Sequence, residues 1–198
     1  MTSLGAGTEE WTTVDPRIAR TAHALETAVV ALASERPASR ITVSELADRA
    51  GVSRATFYNR FGTPLDVLIQ VLRRDLDAAR RVDDDRRAGG APAETTLRLA
   101  TGDIADHVLR FGDVYRQALD DPADRGVYEA LTGHFTEYSL AFIDSSTHPA
   151  TPRTGRRIAA QFVSHGFAGA IKAWLADDTL TRDDLVDAVT ASAPVWWS

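Results

Sequence analysis

Thr42 to Phe61 reads TVSELADRAGVSRATFYNRF, and the rest of the chain is arranged to support it. Thr42 and Glu45 stand in the Ser/Thr-x-x-Glu spacing of a capping box, which predicts a short helix from about Val43 with Leu46, Ala47 and Ala50 inward. Gly51 supplies the left-handed residue that stops it, Val52 fills the corner, and Ser53 is an N-cap for a second helix from Arg54 to about Arg60. Neither helix is long enough to stand alone. The pattern is a helix-turn-helix.

Phe57 and Phe61 are four apart and should lock the second helix inward, which leaves Arg54, Ala55, Thr56, Tyr58, Asn59 and Arg60 on its outer surface. That surface holds no carboxylate. Arg and Asn forks match guanine and adenine edges in the major groove, and Ala and the Thr methyl match a thymine methyl. Arg54, Thr56 and Asn59 are therefore expected to read bases. Thr42, Ser53, Tyr58 and Arg60, with Arg36 and Arg40 from the preceding connector, are placed for phosphates.

At these residues the chain resembles the TetR family of bacterial one-component transcriptional repressors. The resemblance rests on Thr42, on Ala50-Gly51-Val52-Ser53, on Phe57-Tyr58 and on Phe61, and covers about residues 15 to 72. It departs at the start of the next helix. Where the family usually carries a phosphate-gripping Lys, this sequence has Thr63-Pro64, a good N-cap and N1 pair that removes one cationic contact. Beyond residue 72 the likeness is one of helix number and length.

Working outward, Pro16 follows Asp15 as N1 follows an N-cap, and Ile18, Ala22, Leu25, Val29 and Leu32 form a helical stripe, the back wall for the motif. Residues 1 to 14 are polar and unpatterned, a flexible arm in which Trp11 either packs on the first helix or touches DNA. After Pro64 the line Leu65, Leu68, Leu72 and Leu76 predicts a helix to about Arg81. Val82 to Ala93, VDDDRRAGGAPA, reads as a solvated linker that ends the helix and buries nothing. Its three Asp are expected to be solvated and not to bind metal. The division that follows is an arm at 1–14, a DNA-binding unit at 15–81 and a ligand-binding and dimerisation unit at 82–198.

Helical spacing resumes at Leu97, Ala100, Ile104, Val108 and Phe111, then in a short helix from Val114 to Asp120. A longer one carries Val127, Leu131, Phe135, Tyr138 and Phe142. Two more follow, one from about Thr154 to Ala176 and a last one capped by Thr181. The tail ends on Trp196-Trp197. With no strand pattern, the fold class is all-α.

A helix-turn-helix this small reads a two-fold operator only as a pair. Phe162, Gly166, Gly169 and Ala173 form a stripe of small residues with one ring, and two glycines inside a helix, at up to about 1 kcal/mol each, suggest close approach by another backbone. That backbone belongs either to the same subunit or to a partner. In the TetR family the last two long helices build the dimer's four-helix bundle, so the resemblance implies an interface there, completed by Leu185, Val186 and Val189. It also implies a cavity whose filling releases DNA. Candidate pocket residues are His107, Phe111, Tyr115, Tyr128, His134, Phe135, Tyr138 and His165, rings and polar tips interleaved as in a small-molecule site.

The 198 residues carry a net charge of -6. Residues 15–81 hold 11 Arg against 8 carboxylates, whereas residues 82–198 hold 11 Arg or Lys against 18. A cationic head on an acidic body orients the head toward DNA. There is no Cys, which excludes thiolate chemistry and suits a reducing cytoplasm. No apolar run spans a membrane. No nucleophile–base set, phosphate loop, cofactor motif or metal-ligand set appears, so an enzyme is not expected. The expected partners are double-stranded operator DNA, a small-molecule effector and a second copy of the chain. The competing reading is a helical small-molecule-binding protein with weak or lost DNA binding.

Overall fold

A computed structural model describes residues 16–197. The expected arm at 1–14, Trp11 and the Asp15 cap lie outside them. The described residues form the helices α1 (Pro16–Glu35), α2 (Val43–Ala50), α3 (Arg54–Tyr58), α4 (Pro64–Ala88), α5 (Ala93–Arg110), α6 (Gly112–Asp120), α7 (Arg125–Ser145), α8 (Arg156–Leu175) and α9 (Arg182–Ser192). The fold is all-α, as its periodicity predicts.

The motif is built as the spacing requires. Thr42 accepts from the Glu45 N–H while the Glu45 carboxylate accepts from the Thr42 N–H, and Gly51 closes α2 at φ 67°. Ser53 caps α3 by accepting from the Thr56 N–H. Leu46 and Phe57 are fully buried against Leu25, Val29 and Leu32 of α1. Ile18, expected on that stripe, is instead 46 % exposed. α3 is also shorter than the spacing suggests, and Asn59 and Arg60 fall in the turn after it.

The reading of Val82 to Ala93 needs correction. α4 continues to Ala88 and breaks only at Gly89-Gly90, where Gly90 has φ 77°. There the N–H of Ala91 reaches the Arg86 carbonyl at 3.2 Å and the N–H of Gly90 the Arg87 carbonyl at 3.0 Å, a Schellman ending. The acidic run stays helical because two of its carboxylates find cations one turn away on either side: Asp83 pairs with Arg87 at 2.8 Å, and Asp84 with Arg80 at 3.8 Å. Asp83 is buried as well, at 2 % exposure. At 1.5 Å per residue, the 25 residues of α4 form a rod roughly 37 Å long. One end carries the helix-turn-helix and the other packs against α5 and α7.

Most other helices bury one face in a single continuous core that links α1, α4, α5, α6, α7 and α8. A smaller cluster of Leu97, Val163 and Trp197 sits apart from it, beside Tyr138, Phe142 and Trp196.

Candidate functional site

Two places are candidates for contact with DNA or a small molecule: the outer face of α3, and a cavity at the far end of α4. Arg54, Ala55, Tyr58 and Asn59 are exposed on the first. Tyr58 is 61 % exposed, with its ring edge set against Phe57 at 5.4 Å, so burial of Phe57 holds the phenol outward. The other expected readers have work within the fold. The Thr42 hydroxyl is engaged with Glu45 at 2.9 Å. The Ser53 and Thr56 hydroxyls bond each other at 2.8 Å. Arg60 donates to the Ile18 carbonyl at 3.1 Å, anchoring α1 to the turn after α3. Arg40 is well exposed and lies 3.8 Å from Asp121. The free hydrogen-bonding groups of the face are thus Arg54, Tyr58 and Asn59.

Behind this head lies a contact that sequence spacing could not show. Asp124, fully buried in the turn before α7, accepts from the N–H groups of both Ala38 and Ser39 at 2.6 Å. Those two amides begin the 3-10 turn Ala38–Arg40 that leads into α2. A carboxylate satisfies the free donors at a helix start and opposes its partial positive charge. The α6–α7 junction is thereby clasped to the entry of the helix-turn-helix.

The cavity lies among α4, α5, α7 and α8, walled by residues including Arg80, Asp83, Thr101, Ile104, His134, Phe135, Tyr138, Phe167 and Trp197. It holds about 40 Å³, room for a few waters and far below the ~300 Å³ of a drug-sized pocket. His134, Phe135 and Tyr138 line it as the sequence suggests; the other five candidates do not. Tyr115 and His107 are core, at 0 % and 1 % exposure. His107 Nδ1 lies 2.6 Å from the Asp75 carboxylate and Nε2 lies 2.7 Å from the Tyr115 hydroxyl. With Asp75 ionised, Nδ1–H donates to it and Nε2 accepts from Tyr115. Phe111 packs on the His107 ring at 5.1 Å. These groups face α4 and the core because their polar tips satisfy one another there. Tyr128 and His165 pair at 3.0 Å near the outer surface of α7 and α8.

Burial lowers the pKa of His107, outweighing the pull of Asp75, and lowers that of His134, outweighing Asp77. Both rings are neutral at pH 7. Burial, reinforced by its hydrogen bond to Asp83, raises the pKa of the Tyr138 phenol. Asp83 Oδ2 accepts from Arg87 Nε at 2.8 Å and from the Tyr138 hydroxyl. Thr101, Trp197 and Asp83 were not among the sequence candidates. The i,i+4 pairing of Asp83 with Arg87 was the signal that could have placed Asp83.

On α8, Ile158 and Phe162 are 77 % and 78 % exposed, and Gly166, Gly169 and Ala173 continue the same exposed face. A Cβ added at Gly166 or Gly169 meets no atom within 4 Å. Leu185, Val186 and Val189 are already buried within the subunit, at 4 to 8 % exposure, because α9 turns its apolar face onto α5. They pack within the subunit and are not part of the exposed α8 face.

Among the described residues no group of three or more His, Cys, Asp or Glu is placed to hold a metal. No helix there is long and apolar enough to cross a membrane.

Residues 25–69 match the family model of bacterial regulatory proteins, tetR family. No curated protein sequence matches the chain. Among solved structures, the fatty acid degradation regulator FadR from Bacillus halodurans is similar at 15 % identity and TM-score 0.63, covering 91 % of this chain and 95 % of that one. A TetR transcriptional regulator from Streptococcus agalactiae is similar at 21 % identity and TM-score 0.62, over 89 % and 95 %. The FadR repressor of Thermus thermophilus, in complex with lauroyl-CoA, is similar at 20 % identity and TM-score 0.62, over 86 % and 90 %. The N-terminal helices thus carry the sequence pattern of bacterial regulatory proteins of the tetR family, and the chain shares the fold of these regulators over nearly its whole length.

Proposed function

We propose that this transcriptional regulator binds an inverted-repeat operator as a homodimer, represses from it, and is released when a small molecule fills the cavity beside α4. The observation that carries the reading is α4 itself. A single unbroken helix begins three residues after the reading turn and supplies Ala79, Arg80 and Asp83 to the cavity wall. Of the elements that wall the cavity, α4 and α7 lead to the head, so an effector that presses on either one moves an element connected to the DNA-binding face. Displacement of α7 also acts on the Asp124 clasp, so the effector has two mechanical routes to the head. A ligand shifts such an equilibrium only by its differential affinity for the two states, and a cavity too small to fill without rearrangement provides that difference.

The head is residues 15–81 and the body residues 82–198, with α4 shared between them. Arg54 and Asn59 are the base readers; Ala55 and the Thr56 methyl add apolar contact; Tyr58, Thr42, Ser53 and Arg40 meet the backbone. Arg60 supports α1 and contributes less. The second copy docks on the α8 face from Ile158 to Ala173. The open space over Gly166 and Gly169 leaves no reason within the subunit for glycine in a helix interior, whereas a partner helix supplies one.

Selection from a randomised duplex library at moderate salt, with sequencing of the bound pool, tests the reading. Enrichment of an inverted repeat is expected. A folded protein that enriches no sequence, with a salt-dependence slope near zero, would instead support a helical binding protein without DNA function.

A further inference from the structure

Three buried side-chain polar atoms have no hydrogen-bond partner among the described residues: Asp83 Oδ1, Thr101 Oγ1 and Trp197 Nε1. All three belong to the wall of the one small cavity beside α4. Buried polar groups are paired in the great majority of cases, so three orphans around a single space of about 40 Å³ mark it as a site with a polar requirement.

The chemistry of that requirement can be read from the atoms. Asp83 already has its charge opposed by Arg87, which donates to Oδ2 at 2.8 Å. What Oδ1 lacks is a donor, and the donor need not be cationic. The indole N–H of Trp197 only donates, and the Thr101 hydroxyl can do either. A hydroxyl, with one donor and two acceptor positions, suits Asp83 Oδ1 and the Thr101 hydroxyl, while the indole N–H is satisfied by water once the ring is displaced.

Besides Arg80, His134, Tyr138 and Ser139 the rest of the wall is apolar, and one part of it, Trp197, lies outside the helices. Trp197 follows α9 in a turn closed by its own N–H on the Pro194 carbonyl at 2.8 Å. Its ring is stacked on Phe142 at 4.9 Å, with 9° between the planes, and lies 6.0 Å from Tyr138. It belongs to the small cluster with Leu97 and Val163 and not to the main core. It is 3 % exposed with its N–H unpaired, so water would restore a hydrogen bond that burial denies it. Removing this ring joins the space of an indole to the existing cavity.

We propose that Trp197 is a resident plug, and that the effector is a flat, bicyclic-sized aromatic molecule bearing a hydroxyl group, which takes the indole's place and donates to Asp83 Oδ1. This rests on the effector-binding reading above and adds the class of ligand and the group it expels.

Calorimetric titration of the DNA-free protein with 2-naphthol and with 2-methoxynaphthalene tests it. The two probes share a ring system and differ in the donor. 2-Naphthol is expected to bind at least about tenfold more tightly, as loss of one buried hydrogen bond implies. Trp197→Ala should tighten both about tenfold, Trp197→Phe should behave as the native chain, and Asp83→Asn should abolish the preference between the probes. In the native chain labelled with 5-fluorotryptophan, saturation with 2-naphthol should move the Trp197 fluorine signal, assigned through Trp197→Phe, to its solvent-exposed position. Equal affinities for the two probes would overturn the hydroxyl recognition even if Trp197→Ala or Asp83→Asn failed to fold. An unmoved Trp197 signal at saturation would overturn the plug, and so would a folded Trp197→Ala that binds neither probe. A protein that selects an operator but fails these titrations keeps its regulatory reading and loses this site; one that passes them but selects no operator keeps the site alone.

Discussion

At the residue scale, the candidate DNA face divides into groups held by the protein and groups free to leave it. Ser53, Thr56, Thr42 and Arg60 hydrogen-bond within the head, whereas Arg54, Tyr58 and Asn59 are exposed. Asn59→Ala should therefore relax sequence preference at one position of each half-site by about 1–3 kcal/mol, seen as a flattened column when the library selection is repeated. An unchanged preferred site would remove Asn59 from base reading. The residue types at this face were legible in the sequence because capping and turn geometry are local. Arg60's bond to Ile18 was not, since its partner lies 42 residues away. The same holds for the pocket candidates. His107 and Tyr115 are polar rings at helical spacing, just as His134 and Tyr138 are, and only packing puts the first pair in the core and the second on the cavity.

At the element scale, two features connect body to head, and each can be tested alone. The first is the Asp124 clasp. Asp124→Asn keeps the shape but faces one of the two N–H groups with another donor. Chain stability in urea should fall by about 1.5–3 kcal/mol, the worth of a hydrogen bond to a charged group. Operator binding by the folded variant should weaken as the entry to α2 loosens. Stability and affinity equal to the native chain would make the clasp incidental. The second is the burial of neutral histidines between helices. His107 faces Asp75, Arg110 and Tyr115, and His134 faces Asp77, Arg80 and Glu137. Both have folded-state pKa values below the ordinary 6.5. Below about pH 6.5 the unfolded chain takes up protons that the folded chain refuses, so stability falls with pH. The slope is up to ~1.4 kcal/mol per pH unit for each ring. Urea midpoints should be flat from pH 8 to 7 and decline between pH 6.5 and 5. A midpoint that rises over the lower interval would mean that Asp75 and Asp77 hold the rings charged.

At the scale of the whole molecule, the exposed α8 face bears on assembly. Phe162 is 78 % exposed and supports nothing inside the subunit, so Phe162→Glu should leave the monomer's melting temperature almost unchanged. In a dimer built on this face it places a charge against an apolar partner. Sedimentation should then show monomers where the native chain shows dimers, with operator affinity lost in step. A native chain that sediments as a monomer would overturn the interface directly.

Much of this protein is determined by its sequence alone. Capping boxes at Thr42, Thr63 and Thr181, a left-handed glycine at Gly51 and apolar stripes at helical spacing each act within one or two turns. The order of helices, the helix-turn-helix and its acid-free face follow from interactions of that range. The tertiary structure decided the rest. It kept α4 helical through an acidic run, because Asp83 could be buried against Arg87 and Tyr138. It sent α9 inward onto α5 and left α8 facing out, and it brought Asp124 to the start of the motif across 86 residues. It also set Trp197 against a cavity with unpaired polar atoms. Each of these outcomes depends on which burial leaves the fewest polar groups unsatisfied, a sum over groups far apart in the chain that no local pattern contains.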